Sequence, residues 1–297
     1  MSSRTTRARP PQARQDAERA AGASDVDLPA WSLRRDDPRA HTLPRSWPHS
    51  VDREWAWSGS DGTGVRVAIV DSGIDGGHEL VGGVQRAVAV EKTGPDDWRV
   101  VDDHSGDLAG HGTACAGIVR SFAPNCALWS VRVLGAGSKG GAGTLLAGLR
   151  WAVEQGCEVV NLSLSTPKRE TAALLHEIAD EAYFGGSVFV ASAHNLDVRS
   201  YPWRFSSVVS VASHDGEDPF EFLYNPDPPV EFFARGMDME VAWLDGSRII
   251  AAGNSFATAH MTGICALILA KHPQLTPFQL KTVLRETSNN MGDQAGG

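Results

Sequence analysis

The sequence predicts an α/β fold of three layers, α/β/α, built on a mostly parallel central sheet. Two observations point there. From Gly64 onward, five short apolar runs of strand length recur, separated by segments whose apolar residues repeat at helical spacing. The runs are continuous rather than alternating, as in parallel strands that helices cover on both faces. The chain's 297 residues, 42% of them hydrophobic and 21% charged, can supply one large core of that kind.

The elements follow in order. Residues 1–27 are rich in Arg, Ala, Ser and Gln and have too little apolar surface to offset chain entropy, so a disordered tail is expected. Residues 28–60 carry Trp31, Trp47, Trp55 and Trp57 among Pro29, Pro38, Pro44 and Pro48. That mixture predicts an extended arm anchored on the main body by aromatic rings. The main domain is set at 61–289, with a short tail at 290–297. Its strands are expected at VRVAIVD (65–71), ALWSVRVL (127–134), EVVNLSLS (158–165), SVFVASA (187–193) and SVVSVAS (207–213). Helices are expected at 144–156 and 169–186, each with a glycine at its end, and at 255–272, which is apolar enough to be buried. YNPDPP (224–229) reads as a surface loop.

Composition excludes some partners. The formal net charge is −9, which disfavours nucleic acid or an acidic membrane surface. No apolar run reaches the roughly 18 residues of a membrane span. The first 25 residues lack the apolar segment of a secretory signal, so a cytoplasmic location is expected. Cys115, Cys126, Cys157 and Cys265 show neither a disulfide framework nor metal-ligand spacing. They are expected as free core thiols, and no metal or cofactor is expected.

Four residues stand where chemistry can occur. Asp71 falls at the carboxyl end of a buried strand, the edge at which α/β sheets build their sites. By itself Asp-Ser-Gly equally marks a turn. His111 sits between glycines in GHGTACAGIV (110–119), at a helix start, where backbone and substrate can approach closely. A structural histidine would also fit. Ser255, in AAGNSFATAHMTG (251–263), opens a helix whose free N–H groups and positive dipole end suit a developing oxyanion. Ser255 or Asn254 could instead merely cap that helix. Asn195 follows the strand in FVASAHN (189–195) and offers an amide donor, or serves as a turn residue.

The order Asp, His, Ser differs from that of chymotrypsin and of the α/β-hydrolases. DSGID, GHGTACAG and GNSFATAH resemble the three motif blocks of the subtilisin-like serine proteases, from about residue 60 to 288. The resemblance implies a serine endopeptidase working through an acyl-enzyme. Ser255 would be the nucleophile, His111 the general base, Asp71 its partner, and Asn195 with the Ser255 N–H the oxyanion hole. Leu134, Gly135, Ala136 and Gly141 resemble one substrate-binding edge. Ser163, Leu164, Ser165 and Thr166 resemble the other, so that a peptide would bind between them as an extended strand.

Departures from the family pattern matter too. His194 stands where the family has glycine before the oxyanion asparagine. Ser165-Thr166 stands for Gly-Gly, so a narrowed pocket and restricted specificity are expected. Asn254 replaces Thr, and Ala259 replaces Pro. Cys115, four residues after His111, implies sensitivity to mercurials. The stretch 117–128 is too short for the family's calcium loop, so no calcium is expected there. Residues 28–60 are expected to brace the domain or the cleft. His78 and Asp75 should support the Asp71 loop, and His260 should be a buried core residue. The implied role is intracellular processing, with a peptide substrate, a precursor-peptide partner, or another dedicated protein. A catalytically weak peptide-binding module is the alternative.

Overall fold

The structure is a computed structural model that describes residues 48, 50–138 and 140–291; all elements below lie in the unit Ser50–Gly297. The tail 1–27, Trp31, Trp47 and most of the arm lie outside the described residues.

The elements are α1 (Arg53–Trp57), β1 (Arg66–Asp71), β2 (Arg86–Gly94), β3 (Asp97–Asp102), α2 (His111–Phe122), β4 (Ala127–Arg132), α3 (Ala142–Glu154), β5 (Val159–Leu162) and α4 (Arg169–Gly185). Then come β6 (Val188–Ser192), β7 (Val209–His214), β8 (Phe222–Tyr224), β9 (Phe232–Arg235), β10 (Met239–Ala242), β11 (Arg248–Ala251), α5 (Asn254–Lys271) and α6 (Pro277–Thr287). Nine strands form one sheet in the order β3-β2-β4-β1-β5-β6-β7-β9-β8. Its interior pairs are all parallel, and the two edge pairs, β2–β3 and β8–β9, are antiparallel. β10 and β11 make a separate hairpin.

The strand sequences read as apolar runs because both faces are covered. In β1, Val67 and Ile69 pack into one core, together with α2 and α5; Ala68 and Val70 pack into the other, with α3 and α4. This is the expected α/β/α layering. α5 is buried from Ser255 to Leu269, so it runs through the core and shows no polar face. β1 lies between β4 and β5; on one side β5, β6 and β7 follow in chain order, and on the other the order turns back through β4 to β2, so the direction of winding changes at β1. The crevice beyond the carboxyl ends at such a switch point is where an open α/β sheet binds ligands.

Two expected strands stop early. Residues 133–134 and 163–165 follow the ends of β4 and β5 as irregular backbone. The visible end of the arm docks at the far end of α5. Trp55 stacks on His272 with ring centroids 4.0 Å apart, Trp57 is buried beside Phe222, and Arg53 Nε donates to Thr287 O at 3.0 Å. Between α2 and β4 the chain is short, and the Arg120 guanidinium donates to four carbonyls there: Val81, Gly83, Pro124 and Cys126.

Candidate active site

Asp71 ends β1 and is fully buried. Its Oδ1 accepts from the Ser72 N–H at 2.8 Å. His111 opens α2, and its Nδ1 lies 2.9 Å from Asp71 Oδ2 and 3.0 Å from Oδ1. A carboxylate offers acceptors alone, so Nδ1 carries the proton and the neutral ring keeps its lone pair on Nε2. The Asp71 charge holds the His111 pKa above its usual value, against the opposing pull of burial; the hydrogen bond and Asp107 add to the rise.

The Gly110-His111-Gly112 sequence follows from close approach. Gly110 has φ 87°, and a Cβ there would stand 2.6 Å from the Trp243 ring. A Cβ on Gly112 would stand 2.0 Å from Gly73 O. Glycine alone lets α2 come this near the Asp71 loop. Asp107, which sequence reasoning missed, ties the corner together. Its carboxylate accepts from Ser72 Oγ at 2.7 Å, from the Ala109 and Gly110 N–H groups at 2.9 Å each, and from the Thr113 N–H at 2.8 Å and hydroxyl at 2.6 Å. An acidic residue just ahead of a helix start was the available signal.

Ser255 is the second residue of α5 and is 7% exposed. Its neighbour Phe256 sets a ring 5.9 Å from the His111 ring. Ser163 Oγ donates to Ser255 O at 3.4 Å and lies 3.6 Å from Cys115 Sγ. That sulfur lies within 4.8 Å of the Asp71 and His111 donor atoms. Segments distant in sequence thus meet in one small volume. The Asp71–His111 half of the row is hydrogen-bonded, whereas Ser255 Oγ bonds to none of the described residues.

Asp71, His111 and Cys115 also make a cluster of metal-ligand type. It suits a cation poorly. Burial and the Asp71 charge push the Cys115 thiol far up, so the sulfur stays protonated, and Nδ1 is committed to Asp71. All four cysteines are free and buried.

Asn195 is exposed just past β6, and its Oδ1 accepts from the Asn254 N–H at 3.1 Å. The remaining substrate candidates divide among cavities. Leu134, Gly141, Leu164, Ser165 and Thr166 line one cavity of about 240 Å³ between the two proposed edges. Gly135 lines its neighbour, of about 410 Å³, and Ala136 lies in the short turn Ala136–Ser138. His194 and Asn195 line a third, of about 470 Å³, with Trp203. Ser163 instead points inward, towards Ser255 O. The His194 ring turns back on its own loop, where Nδ1 accepts from the Leu196 N–H at 3.0 Å.

Ser165 also does something the sequence did not show. Its Oγ accepts from the fully buried Ser200 hydroxyl at 3.0 Å, and Trp203 Nε1 donates to Ser200 Oγ at 2.9 Å. His78 bonds Ser247 O at 2.9 Å, so it holds the β10–β11 hairpin, and the Asp75 N–H donates to the Thr113 hydroxyl. His260 is 3% exposed and bonds Arg235 O.

Among serine hydrolases, the chain order Asp, His, Ser on a parallel α/β sheet is that of the subtilisin-like proteases, and fold and motif order assign the chain to that class of endopeptidase. The sequence model of the Subtilase family matches residues 62–296, and the chain belongs to this family. It is 29% identical over 272 residues to subtilisin DY of Bacillus licheniformis, covering 86% of this chain and 94% of that protein. It is 27% identical over 287 residues to subtilisin E of Bacillus subtilis strain 168, covering 89% of this chain and 72% of that protein. The crystal structure of a cold-adapted subtilisin-like serine proteinase superposes with a TM-score of 0.61 at 28% identity, covering 87% of this chain and 93% of that one.

Proposed function

We propose that this serine endopeptidase cuts peptide bonds with Ser255, His111 and Asp71. The Ser255 oxygen attacks the scissile carbonyl while His111 Nε2 takes its proton. Asp71 holds the ring in that tautomer and stabilises the imidazolium. The oxyanion is received by Asn195 Nδ2 and the Ser255 N–H, at the positive end of α5. His111 then protonates the leaving amine, and water releases the acyl-enzyme by the same steps reversed. The observation that carries the reading is the Asp71–His111 contact beside Phe256, at the start of the helix that holds Ser255. The Ser255–His111 bond is the contact that tightens as the substrate complex forms.

The substrate binds extended between 134–141 and 163–166. The Ser165–Ser200–Trp203 chain supports a shallow, restricted pocket for the side chain before the cleaved bond. Four buried free thiols support work in a reducing compartment, as an intracellular processing enzyme acting on a peptide or a dedicated protein partner. The described residues contain no helix long and apolar enough to cross a membrane.

A fluorophosphonate probe tests this assignment. The protein should label once, and Ser255→Ala or His111→Ala should abolish the label. A labelled Ser255→Ala protein would overturn the assignment, and an unlabelled wild type would favour the peptide-binding module. On a peptide panel, small residues should be preferred before the cut; equal cleavage after large aromatic residues would remove the restricted pocket.

A further inference from the structure

We propose that Asn254 is the positioning residue of the oxyanion hole: it joins β7, the 193–195 loop and the start of α5, and so aims the Asn195 amide. The proposal rests on the assignment of Asn195 as the oxyanion donor and deepens it.

The polar atoms of Asn254 are engaged in a way that leaves one arrangement. Its Oδ1 accepts from the Ser213 N–H and from the Ser213 hydroxyl, both at 2.9 Å. Its Nδ2 donates to Ala193 O at 3.1 Å and, more weakly, to His194 O at 3.5 Å. A backbone N–H can only donate and carbonyls can only accept, so the amide cannot be turned around. The Asn254 N–H then donates to Asn195 Oδ1 at 3.1 Å. That bond fixes Asn195 as well: its oxygen is taken by a donor, and the NH2 end is left for a ligand.

One side chain therefore ties together the end of β7, the backbone just before Asn195 and the residue just before Ser255. The two donors proposed for the oxyanion, Asn195 Nδ2 and the Ser255 N–H, sit on different segments. Their spacing is set where those segments are joined, and Asn254 is that join. Sub-ångström placement of such donors governs their value in the transition state. The family pattern has Thr at this position. A threonine has no amide with which to bridge Ser213 and the Ala193 carbonyl as Asn254 does.

The test is a double-mutant cycle read by fluorophosphonate labelling of the full chain, with the limiting rate and half-saturating concentration measured separately. Asn195→Ala should slow the limiting rate by about 10²–10³, a magnitude established for the asparagine donor of subtilisin itself. Asn254→Ala should slow it about tenfold to a hundredfold, with half-saturation nearly unmoved. In the Asn195→Ala background, Asn254→Ala should cost under about twofold, because its effect passes through Asn195. Asn254→Asp keeps the size and the Ser213 acceptor but sets an oxygen against the Ala193 and His194 carbonyls. It should be as slow as Asn254→Ala, whereas a space-filling role would tolerate it. Ser213→Ala removes one bond and should cost a few-fold, which keeps the cycle readable if Asn254→Ala folds poorly. A near-wild-type Asn254→Ala, or its full cost persisting without Asn195, overturns the positioning role alone. An unimpaired Asn195→Ala overturns the oxyanion assignment, and the proposal with it.

Discussion

Two helix-borne imidazoles in this molecule have their charges pushed opposite ways. His111 faces Asp71, and the carboxylate raises its pKa; the proposed general base becomes neutral, and competent, only as pH climbs past that raised value. His260 has no anion beside it. Its ring meets Phe122 edge-on at 5.0 Å, and burial pulls its pKa down to about 4. The folded state therefore holds His260 neutral, while the unfolded chain takes up its proton near the ordinary value of about 6.5. Stability from this residue is complete above that pH and drains away between about 6.5 and 4. The Ser255→Ala protein avoids self-digestion and can be unfolded in urea at pH 7.5 and 4.5. The stability lost between the two should shrink by about 2–3 kcal/mol when His260→Gln is added. Equal losses with and without the histidine would refute this account.

At the scale of elements, α2 does two jobs from its two ends. Its first turn presents His111. Its last carries Arg120, whose guanidinium donates to four loop carbonyls. Bonds from a charged donor are worth about 1.5–3 kcal/mol each before the partial rescue by water, so Arg120→Ala should cost about 2–4 kcal/mol in urea unfolding. A loss below about 0.5 kcal/mol would show that solvent replaces it. Legibility differed among elements for physical reasons. β1, β4 and β6 read clearly because two cores cover them. β2 and β3 alternate or turn polar at an exposed edge, and β8 to β11 have three or four residues each, too few for any period. α6 carries a sequence signal of its own in the Thr276–Gln279 capping box and Pro277. Asp71, His111 and Ser255 can be proposed from sequence because glycines and helix starts mark them. The partners of Asp107 and of Asn254 cannot be read there, because they lie on other segments and hydrogen bonds leave no spacing in the sequence.

Across the whole molecule, α5 links two regions. Its 18 residues span about 27 Å, from Ser255 at one end to the Trp55–His272 stack at the other. Trp57, buried beside Phe222, should act on stability without touching the chemistry. Trp57→Ala should cost about 3–5 kcal/mol, as large-to-small changes in a packed core do. Labelling of the folded protein at room temperature should stay within about twofold of wild type. A labelling rate that fell with the melting point intact would instead connect the docked segment to the cleft.

The bond from Arg53 to Thr287 closes a loop of 234 residues. As a nascent chain leaves the ribosome, that closure must wait until Thr287 has emerged. Ser255, too, emerges long after Asp71 and His111. The proposed base and its carboxylate partner thus wait through 144 further residues for the hydroxyl they are proposed to activate, and the proposed triad cannot assemble until α5 has joined the rest.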